Sequence, residues 1–322
     1  MGNSALAIER FERCLARANP GDPRMLSQLL CNLGQNLAND VDYTRALEQL
    51  ERGIALRKQA FPERWKTIGM AYALAYIGMV HADRGELALC APVMNEALSI
   101  IEPLGHTSAL SSINQVRAIA AWYAGDWDRC LEYTALGKEI ASSIGAPPNH
   151  GMAVALEGWC RFIGLGDKDG IAGLEQGMRE MEAAGTKLGA SMYLACAAEA
   201  FTRSGDLERG EHFARRSLER KSERDRVGYA QALRALALCH AQHGSRSGTE
   251  QVLVEARRHA AEKRSPRDAV LNDLCLAECL HAWGDAAGAA AEAERVLRTL
   301  RALNLIGYAR PAFELVAAGG AT

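Results

Sequence analysis

Apolar, alanine- and leucine-rich segments alternate along the chain with short polar turns, and the turns recur at a regular interval. A Gly-Asp or Gly-Glu pair marks four turns, at Gly85-Glu86, Gly125-Asp126, Gly205-Asp206 and Gly284-Asp285. Weaker forms stand at Val41-Asp42, at Gly244-Ser245 and, one residue out of phase, at Gly166-Asp167. Turns placed at positions 41, 85, 125, 165, 205, 244 and 284 are 39 to 44 residues apart, which predicts a repeat of roughly 40 residues.

Small residues keep one phase around these turns, in three columns. Seven residues before the turn stand Gly34, Gly78, Ala118, Gly158, Ala198, Ala237 and Ala277. Five residues after it stand Ala46, Cys90, Cys130, Gly170, Gly210, Thr249 and Ala289. Twelve residues after it stand Gly53, Ala97, Gly137, Gly177, Ser217, Ala256 and, as the one larger side chain, Val296.

These columns predict a helical hairpin repeated seven times. Two antiparallel helices approach closely only where a small residue admits the other backbone, and positions seven apart share one face of a helix. The first column therefore lies on the first helix of each hairpin and the other two lie on the second helix. Glycine at the turn tolerates the left-handed conformation that ends a helix, and the acidic residue after it can cap the next helix.

The pattern resembles the tetratricopeptide repeat (TPR) family, whose small-residue columns and Gly-Asp turn have matching offsets. The segment 42–47, Asp-Tyr-Thr-Arg-Ala-Leu, is most similar to the opening of the family's second helix, and Asn19-Pro20-Gly21-Asp22-Pro23 to its inter-repeat linker. The resemblance covers roughly residues 4 to 303. It implies an all-α fold, a right-handed α-solenoid of about seven hairpins with terminal capping helices.

A period of about 40 exceeds the usual length of this repeat and resembles the long repeats of bacterial signalling proteins. Such arrays follow an NTPase module in LuxR/MalT-type regulators and in ATPase-coupled nucleotidyl cyclases. The segments 170–178 and 185–189 are the most similar to that group. The resemblance implies an NTPase or effector domain in the same or a neighbouring chain.

The boundaries follow from the repeat. We expect one repeat domain over 1–322, with a capping or orphan helix at 4–20, seven hairpins at 24–303, and a C-terminal cap and tail at 304–322. The first helix resembles a second-type helix without a partner, so it either caps the array or continues from a longer protein. Pro311 can start a short helix that covers the last hairpin.

Composition narrows the partners. A net charge of -2 over 322 residues offers no basic surface for nucleic acid. No uncharged apolar stretch of 18 residues predicts a membrane span, and the start at 1–6 lacks a signal-peptide pattern. Nine cysteines without paired spacing indicate free thiols and a reducing cytoplasm.

The chain has no pattern of a catalytic centre, and we predict neither enzyme activity nor a cofactor. A phosphate-binding loop would need G-x-x-x-x-G-K-[ST], which is missing from the sequence. Cys275, Cys279 and His281 are possible metal ligands, but the two cysteines lie in an apolar helical run where core packing is the more frequent role.

In TPR-like arrays the first helices line a concave groove, at positions 13, 10, 6 and 3 residues before each turn. Carried onto this sequence, these positions give a candidate groove: Tyr72, Met79, Gln115, Trp122, Trp159, Met192, Glu199, Gln231, Arg234, Glu278 and His281, preceded by Gln28 and Gln35. The aromatic residues could equally fill the stack of helices. The mixture of amide, charged and apolar groups suits a peptide or protein segment more than a polyanion.

We therefore interpret the chain as a non-catalytic protein- or peptide-binding scaffold with a regulatory role. An alternative is a sensor that holds a small molecule in the inner channel of the array. A third hypothesis is a metal-dependent enzyme that uses Cys275, Cys279 and His281.

Overall fold

A computed structural model describes residues 3–187 and 189–320, which contain sixteen α-helices and no β-strand. The first helices of the hairpins are α2 (Pro23–Asn39), α4 (Ile68–Arg84), α6 (Thr107–Ala124), α8 (Pro147–Cys160), α10 (Ala190–Ser204), α12 (Tyr229–Gln242) and α14 (Pro266–Ala282). The second helices are α3 (Tyr43–Ala60), α5 (Leu87–Leu104), α7 (Trp127–Ser143), α9 (Gly170–Ala183), α11 (Leu207–Glu219), α13 (Arg246–Lys263) and α15 (Ala286–Ala302). Helices α1 (Ser4–Arg17) and α16 (Arg310–Gly319) flank them.

The seven hairpins and their turns are confirmed, and the all-α solenoid with them. All predicted small positions are buried except Cys90, which is half-buried. At the closest approach, a Cβ added to Gly158 would lie 2.2 Å from the backbone nitrogen of Leu174. The start at 1–6 and the tail at 319–322 lie partly outside the described residues, as does Leu188 within 185–189.

The irregular fourth turn has a structural cause. Residues Arg161–Leu165 form a π-helical turn, which inserts one extra residue before the left-handed Gly166. The left-handed residue is therefore Gly166, and position 165 was wrong by one. The phase shift that the sequence shows is a local bulge in an otherwise regular repeat.

Aspartates after the turns cap the second helices as expected. The side chains of Asp42, Asp126, Asp206 and Asp285 each accept a hydrogen bond from a backbone N–H three residues on. Glu86 does not act in this way. Its carboxylate instead lies 2.6 Å from Nδ1 of His81, because the longer side chain reaches back to the preceding helix.

The orphan helix α1 packs differently from the regular second helices. Its buried positions are Ser4 and Ile8, with Phe11 and Leu15 packed beside the core. Counted from its N-cap Asn3, the column places of α1 are Ala7, which is half-buried, and Cys14, which is exposed. Helix α1 packs on α2 mainly through Ile8, and α16 covers α15 at the other end through Ala312 and Leu315.

Helix α5 is, by length and composition alone, apolar enough to cross a membrane. In the structure it buries Met94, Ala97 and Ile101 within the second hairpin, and Glu96 pairs with Lys58 of α3. One helix of this kind is weak evidence for a membrane span, and the expected lack of a membrane partner stays a prediction.

The solenoid closes on itself. Side-chain hydrogen bonds join residues that are 179 to 186 apart in sequence. We call one turn of the superhelix a coil. The end of a first helix in one coil therefore meets the segment before a first helix in the next coil. Among residues 3–187 and 189–320 there are three such contacts, and we call them the first, second and third clasps. They join the ends of α2, α4 and α6 to the segments that precede α12, α14 and α16.

The first clasp joins residues 39–40 to residues 224–227. The Nε and Nη2 atoms of Arg224 lie 2.7 and 2.5 Å from Oδ2 of Asp40. The backbone N–H of Arg226 donates to the carbonyl oxygen of Asn39 at 2.9 Å.

The second clasp is a buried ion cluster of Asp83, Lys263, Arg267 and Asp268, each at most 3% exposed. The Nζ atom of Lys263 lies 2.6 Å from Asp83 and 2.5 Å from Asp268, and Nη1 of Arg267 lies 2.8 Å from Asp83. The hydroxyl of Tyr43 donates to the Asp83 carboxylate as well. Charges so deeply buried are tolerable only when each is paired and hydrogen-bonded.

The third clasp is aromatic. The Tyr308 hydroxyl donates to the carbonyl oxygen of Trp122 at 2.5 Å, and Nε1 of Trp127 donates to the carbonyl oxygen of Gly307 at 3.0 Å. A Cβ at Gly307 would lie 1.9 Å from the carbonyl oxygen of Gly125, so only glycine permits this approach.

A non-glycine residue in the left-handed region lies at or next to each clasp segment. These residues are Arg224, Arg264 and Asn304, at φ of 56°, 53° and 56°. The equivalent positions in the first coil are the glycines Gly105, Gly145 and Gly185. The left-handed turn geometry is thus the same at these three positions, although the residue is not glycine.

Differences in how closely the helices pack predict opposite effects of alanine at two glycines. Gly158→Ala should destabilise the fold by about 3 kcal/mol, because the new methyl group meets backbone. Gly137→Ala should be neutral or stabilising by up to about 1 kcal/mol, because its Cβ has no neighbour closer than 3.5 Å and alanine favours helix. Urea unfolding of both variants measures this, and equal effects would contradict the packing described.

The second clasp predicts a large cost for one lysine. Lys263→Met should destabilise the fold by about 3 to 5 kcal/mol, because it leaves two buried carboxylates short of a cation. Lys58→Met is the control, since its pair with Glu96 is exposed and contributes at most about 1 kcal/mol. Unfolding midpoints of both variants test this, and a small effect at Lys263 would show that the cluster does not hold the coil.

The same cluster predicts a pH dependence. Burial alone would raise the pKa of Asp268, but Lys263, Arg234 and Arg267 outweigh it and hold that pKa well below its usual range. The stabilisation is therefore complete above the unfolded value of about 4 and is lost as pH falls towards the folded pKa. The stability difference between the wild type and Asp268→Asn should be constant from pH 7 to 5 and shrink below about pH 4. A constant difference down to pH 3 would contradict this.

Candidate functional site

The concave side of the first coil contains a cavity of about 330 Å³, which we call the open cavity. Helices α2, α4, α6 and α8 supply most of its wall, the start of α10 adds more, and Val227 comes from the second coil. Its lining is Gln35, Asn39, Tyr72, Tyr76, Met79, Ser112, Gln115, Val116, Ile119, Asn149, Met152, Gly189, Met192, Tyr193 and Val227. The predicted groove residues Tyr72, Met79, Gln115 and Met192 are therefore brought together.

The polar groups of the open cavity are amides and hydroxyls. Nε2 of Gln115 donates to the Tyr193 hydroxyl at 2.9 Å, and Nδ2 of Asn149 donates to Oγ of Ser112 at 3.1 Å. The side-chain carbonyl oxygens of Gln115 and Asn149 accept no hydrogen bond from the residues that the structure describes. Both oxygens keep their capacity to accept from a ligand.

The open cavity has no charged residue in its described lining. Burial raises the pKa of Tyr76 and of Tyr193 above the ordinary value, which keeps these two phenols neutral. An ionised ligand group would lose its hydration here without gaining a counter-ion, which is unfavourable.

Further along the axis, the coil encloses a much smaller inner cavity of about 80 Å³. Six of the predicted residues line it: Trp122, Trp159, Glu199, Gln231, Arg234 and Glu278. The volume is well below the ~300 Å³ at which ordinary ligand pockets begin. The inner cavity therefore has room for a few water molecules and is not a groove.

The two predicted tryptophans are packing residues. Trp122 and Trp159 are 3% and 1% exposed, with ring centroids 4.6 Å apart. Trp127 stands edge-on to Trp159 at 5.9 Å and to Tyr308 at 5.2 Å. This cluster joins the third clasp to the wall of the inner cavity, so the aromatic residues fill the stack.

The two predicted glutamates share one arginine across the coil. Arg203 donates to Glu278 at 2.6 and 3.1 Å and to Glu199 at 3.3 Å, and Gln231 donates to Glu199 at 2.7 Å. Arg203 was missed because it lies two residues before its turn, outside the four groove positions. Its spacing of four from Glu199 was the available signal.

Arg234 also serves the interior. Its Nη1 atom lies 3.3 Å from Oδ1 of Asp268 and 3.3 Å from Oδ1 of Asn272, which connects it to the second clasp. His281, in contrast, is exposed and lines neither cavity. A groove role for His281 therefore stays a prediction.

The thiols of the metal hypothesis are engaged with the backbone. Cys275 and Cys279 are buried, and their Sγ atoms contact the carbonyl oxygens of Arg234 and Ala237 at 3.5 and 3.9 Å. A hydrogen bond with Cys279 and burial raise the pKa of Cys275 well above the ordinary value, which keeps the thiol protonated. Within 3–187 and 189–320, no three His, Cys, Asp or Glu side chains form a group that could hold a metal.

Other lining residues were missed for different reasons. Tyr76 stands one position beside an inner position, and Asn149 lies about one helical turn before the first inner position of its helix. Ser112 occupies an inner position, 13 residues before its turn, but was not included in the candidate groove. Val227 belongs to the next coil, and no rule of one repeat could place it there.

Comparison with known proteins supports the architecture. No family model matches the chain, and no curated protein sequence matches it. Among solved structures, a Rap protein complexed with Competence and Sporulation Factor matches with a TM-score of 0.58 at 11% identity, over 99% of this chain and 98% of that chain. Aspartyl phosphate phosphatase F from Bacillus subtilis matches with a TM-score of 0.58 at 11% identity, over 85% of this chain and 70% of that chain.

The chain has a tetratricopeptide-repeat fold. The resemblance stated from the repeat columns is thus confirmed at the level of the fold. The narrower resemblance to the arrays of LuxR/MalT-type regulators and nucleotidyl cyclases stays a prediction, as does an attached NTPase domain.

Proposed function

We propose that this TPR-fold chain is a non-catalytic scaffold that binds a peptide or protein segment in the open cavity. The open cavity carries the proposal, because it is where the concave side keeps space while the inner cavity is filled by its own side chains. At about 330 Å³ it falls within the size range of ligand pockets, roughly 300 to 1,000 Å³. It would hold a few residues of a longer segment.

The chemistry of the lining supports an uncharged segment. The carbonyl oxygens of Gln115 and Asn149 suit backbone N–H donors, which an extended peptide presents. Met79, Met152 and Met192 offer apolar contacts that adapt to different side chains. A side-chain carboxylate or ammonium group would find no partner among these residues.

A binding role also agrees with the fold. The Rap protein of similar fold was solved in complex with a factor, and another chain of this fold is named a phosphatase. We propose binding over catalysis because the described lining of the open cavity offers no carboxylate, imidazole or thiol as base or nucleophile. A regulatory role in a bacterial cytoplasm belongs to the same proposal.

The proposal predicts that peptides bind and that Tyr72 is required. A displayed library of random heptapeptides, selected on the purified chain, should yield peptides without charge at their central positions. Tyr72→Ala should weaken a selected peptide by about 2 kcal/mol, roughly thirtyfold, because an aromatic anchor is removed. Fluorescence anisotropy with a labelled peptide measures the affinity.

Two further variants control the experiment. Tyr133→Ala removes a half-buried tyrosine of α7 that lies outside the open cavity, and it should leave affinity unchanged. Ser112→Trp should fill the open cavity and abolish binding. Selection of the same peptides by Ser112→Trp, or an equal loss of affinity in both tyrosine variants, would contradict the proposed site.

A further inference from the structure

The first clasp forms one wall of the open cavity. Asn39, at the end of α2, and Val227, before α12, both line it. The hydrogen bond from the N–H of Arg226 to the carbonyl oxygen of Asn39 holds these two walls together, and Arg224 pairs with Asp40 beside them. Separation of the clasp would therefore widen the open cavity directly.

The first clasp is also the least protected of the three. Its ion pair is partly solvated, with side-chain exposures of 35% for Arg224 and 8% for Asp40. In the second clasp, Asp83 and Lys263 are each 2% exposed by the same measure, and the third clasp is an aromatic cluster. Local opening begins where few apolar contacts and partly solvated polar contacts hold the chain.

The electrostatics of the first clasp point the same way. The left-handed conformation of Arg224, φ 56°, is shared by Arg264 and Asn304 and does not distinguish this clasp from the other two. Burial raises the pKa of Asp40 despite the opposing effect of Arg224, so the ion pair does not fully offset the loss of hydration. The closed state of this clasp is therefore only modestly favoured.

We propose that the first clasp is the gate of the open cavity. The segment 224–227 separates from Asn39 and Asp40 to admit or release a bound segment, while the second and third clasps keep the coil closed. A ligand that touches both walls stabilises the closed clasp, and a closed clasp in turn slows release of the ligand. This inference rests on the proposed function.

The gate can be tested first without a ligand. Asp40→Asn removes the ion pair, and hydrogen exchange of the Arg226 amide should become about tenfold faster, because a charge-assisted hydrogen bond is lost. Arg224→Asn should act alike, since asparagine tolerates the left-handed region, and the two changes together should add nothing. Asp42→Asn is the matched control, as it removes the same charge two residues away and keeps a capping side chain.

Exchange of the α14 amides, which follow the second clasp, should stay as in the wild type. An Arg226 amide that exchanges equally fast in the wild type and in Asp40→Asn would overturn the gate. So would a variant in which the α14 amides accelerate equally, because the coil would then open as a whole.

The second measurement uses a heptapeptide selected on the wild-type chain. Its dissociation rate should rise about tenfold in Asp40→Asn and remain unchanged in Asp42→Asn. A faster Arg226 amide with an unchanged dissociation rate would overturn the gate and leave binding in place. A faster amide with no peptide selected would overturn the proposed function and leave the opening of the first clasp standing.

Discussion

The buried ion cluster of Asp83, Lys263, Asp268 and Arg267 is the constraint on which the closed coil depends. These four charges come from two segments about 180 residues apart, and none could remain buried without the others. In a closed coil of any other pitch, one or more of these charges would be buried without its partner, which is strongly unfavourable. The cluster therefore favours one pitch of the solenoid, at which the end of α4 meets the start of α14.

Closure determines what the concave side can do. Four cations, Arg203, Arg234, Lys263 and Arg267, face four anions, Asp83, Glu199, Asp268 and Glu278, along the axis of the coil. Their charges cancel, and their hydrogen bonds are made largely to one another. Polar side chains that would line a groove in an open array instead hold the second coil on the first, and the open cavity is our proposed place for a partner.

The same repeat position thus has different roles at different points of the coil. Tyr72 and Met79 face space because no later first helix covers the wall of α4 at their level. Glu278, at an equivalent position of α14, is enclosed because the first coil stands opposite. The repeat position of a residue predicts the direction in which its side chain points. It does not predict whether that side chain meets open space or another part of the coil.

The sequence by itself determined the hairpins, because close helix packing leaves a mark in every repeat. Small residues stand where backbones touch, aspartates cap the helices that follow the turns, and the phase shift at Gly166 records a π-helical turn. About a third of the lining of the open cavity, at Gln35, Tyr72, Met79, Gln115 and Met192, followed from the same rule. Only the tertiary structure decided that the solenoid closes, that Val227 completes the open cavity and that the tryptophans are buried. Closure results from small rotations summed over several repeats, and no local pattern encodes that sum.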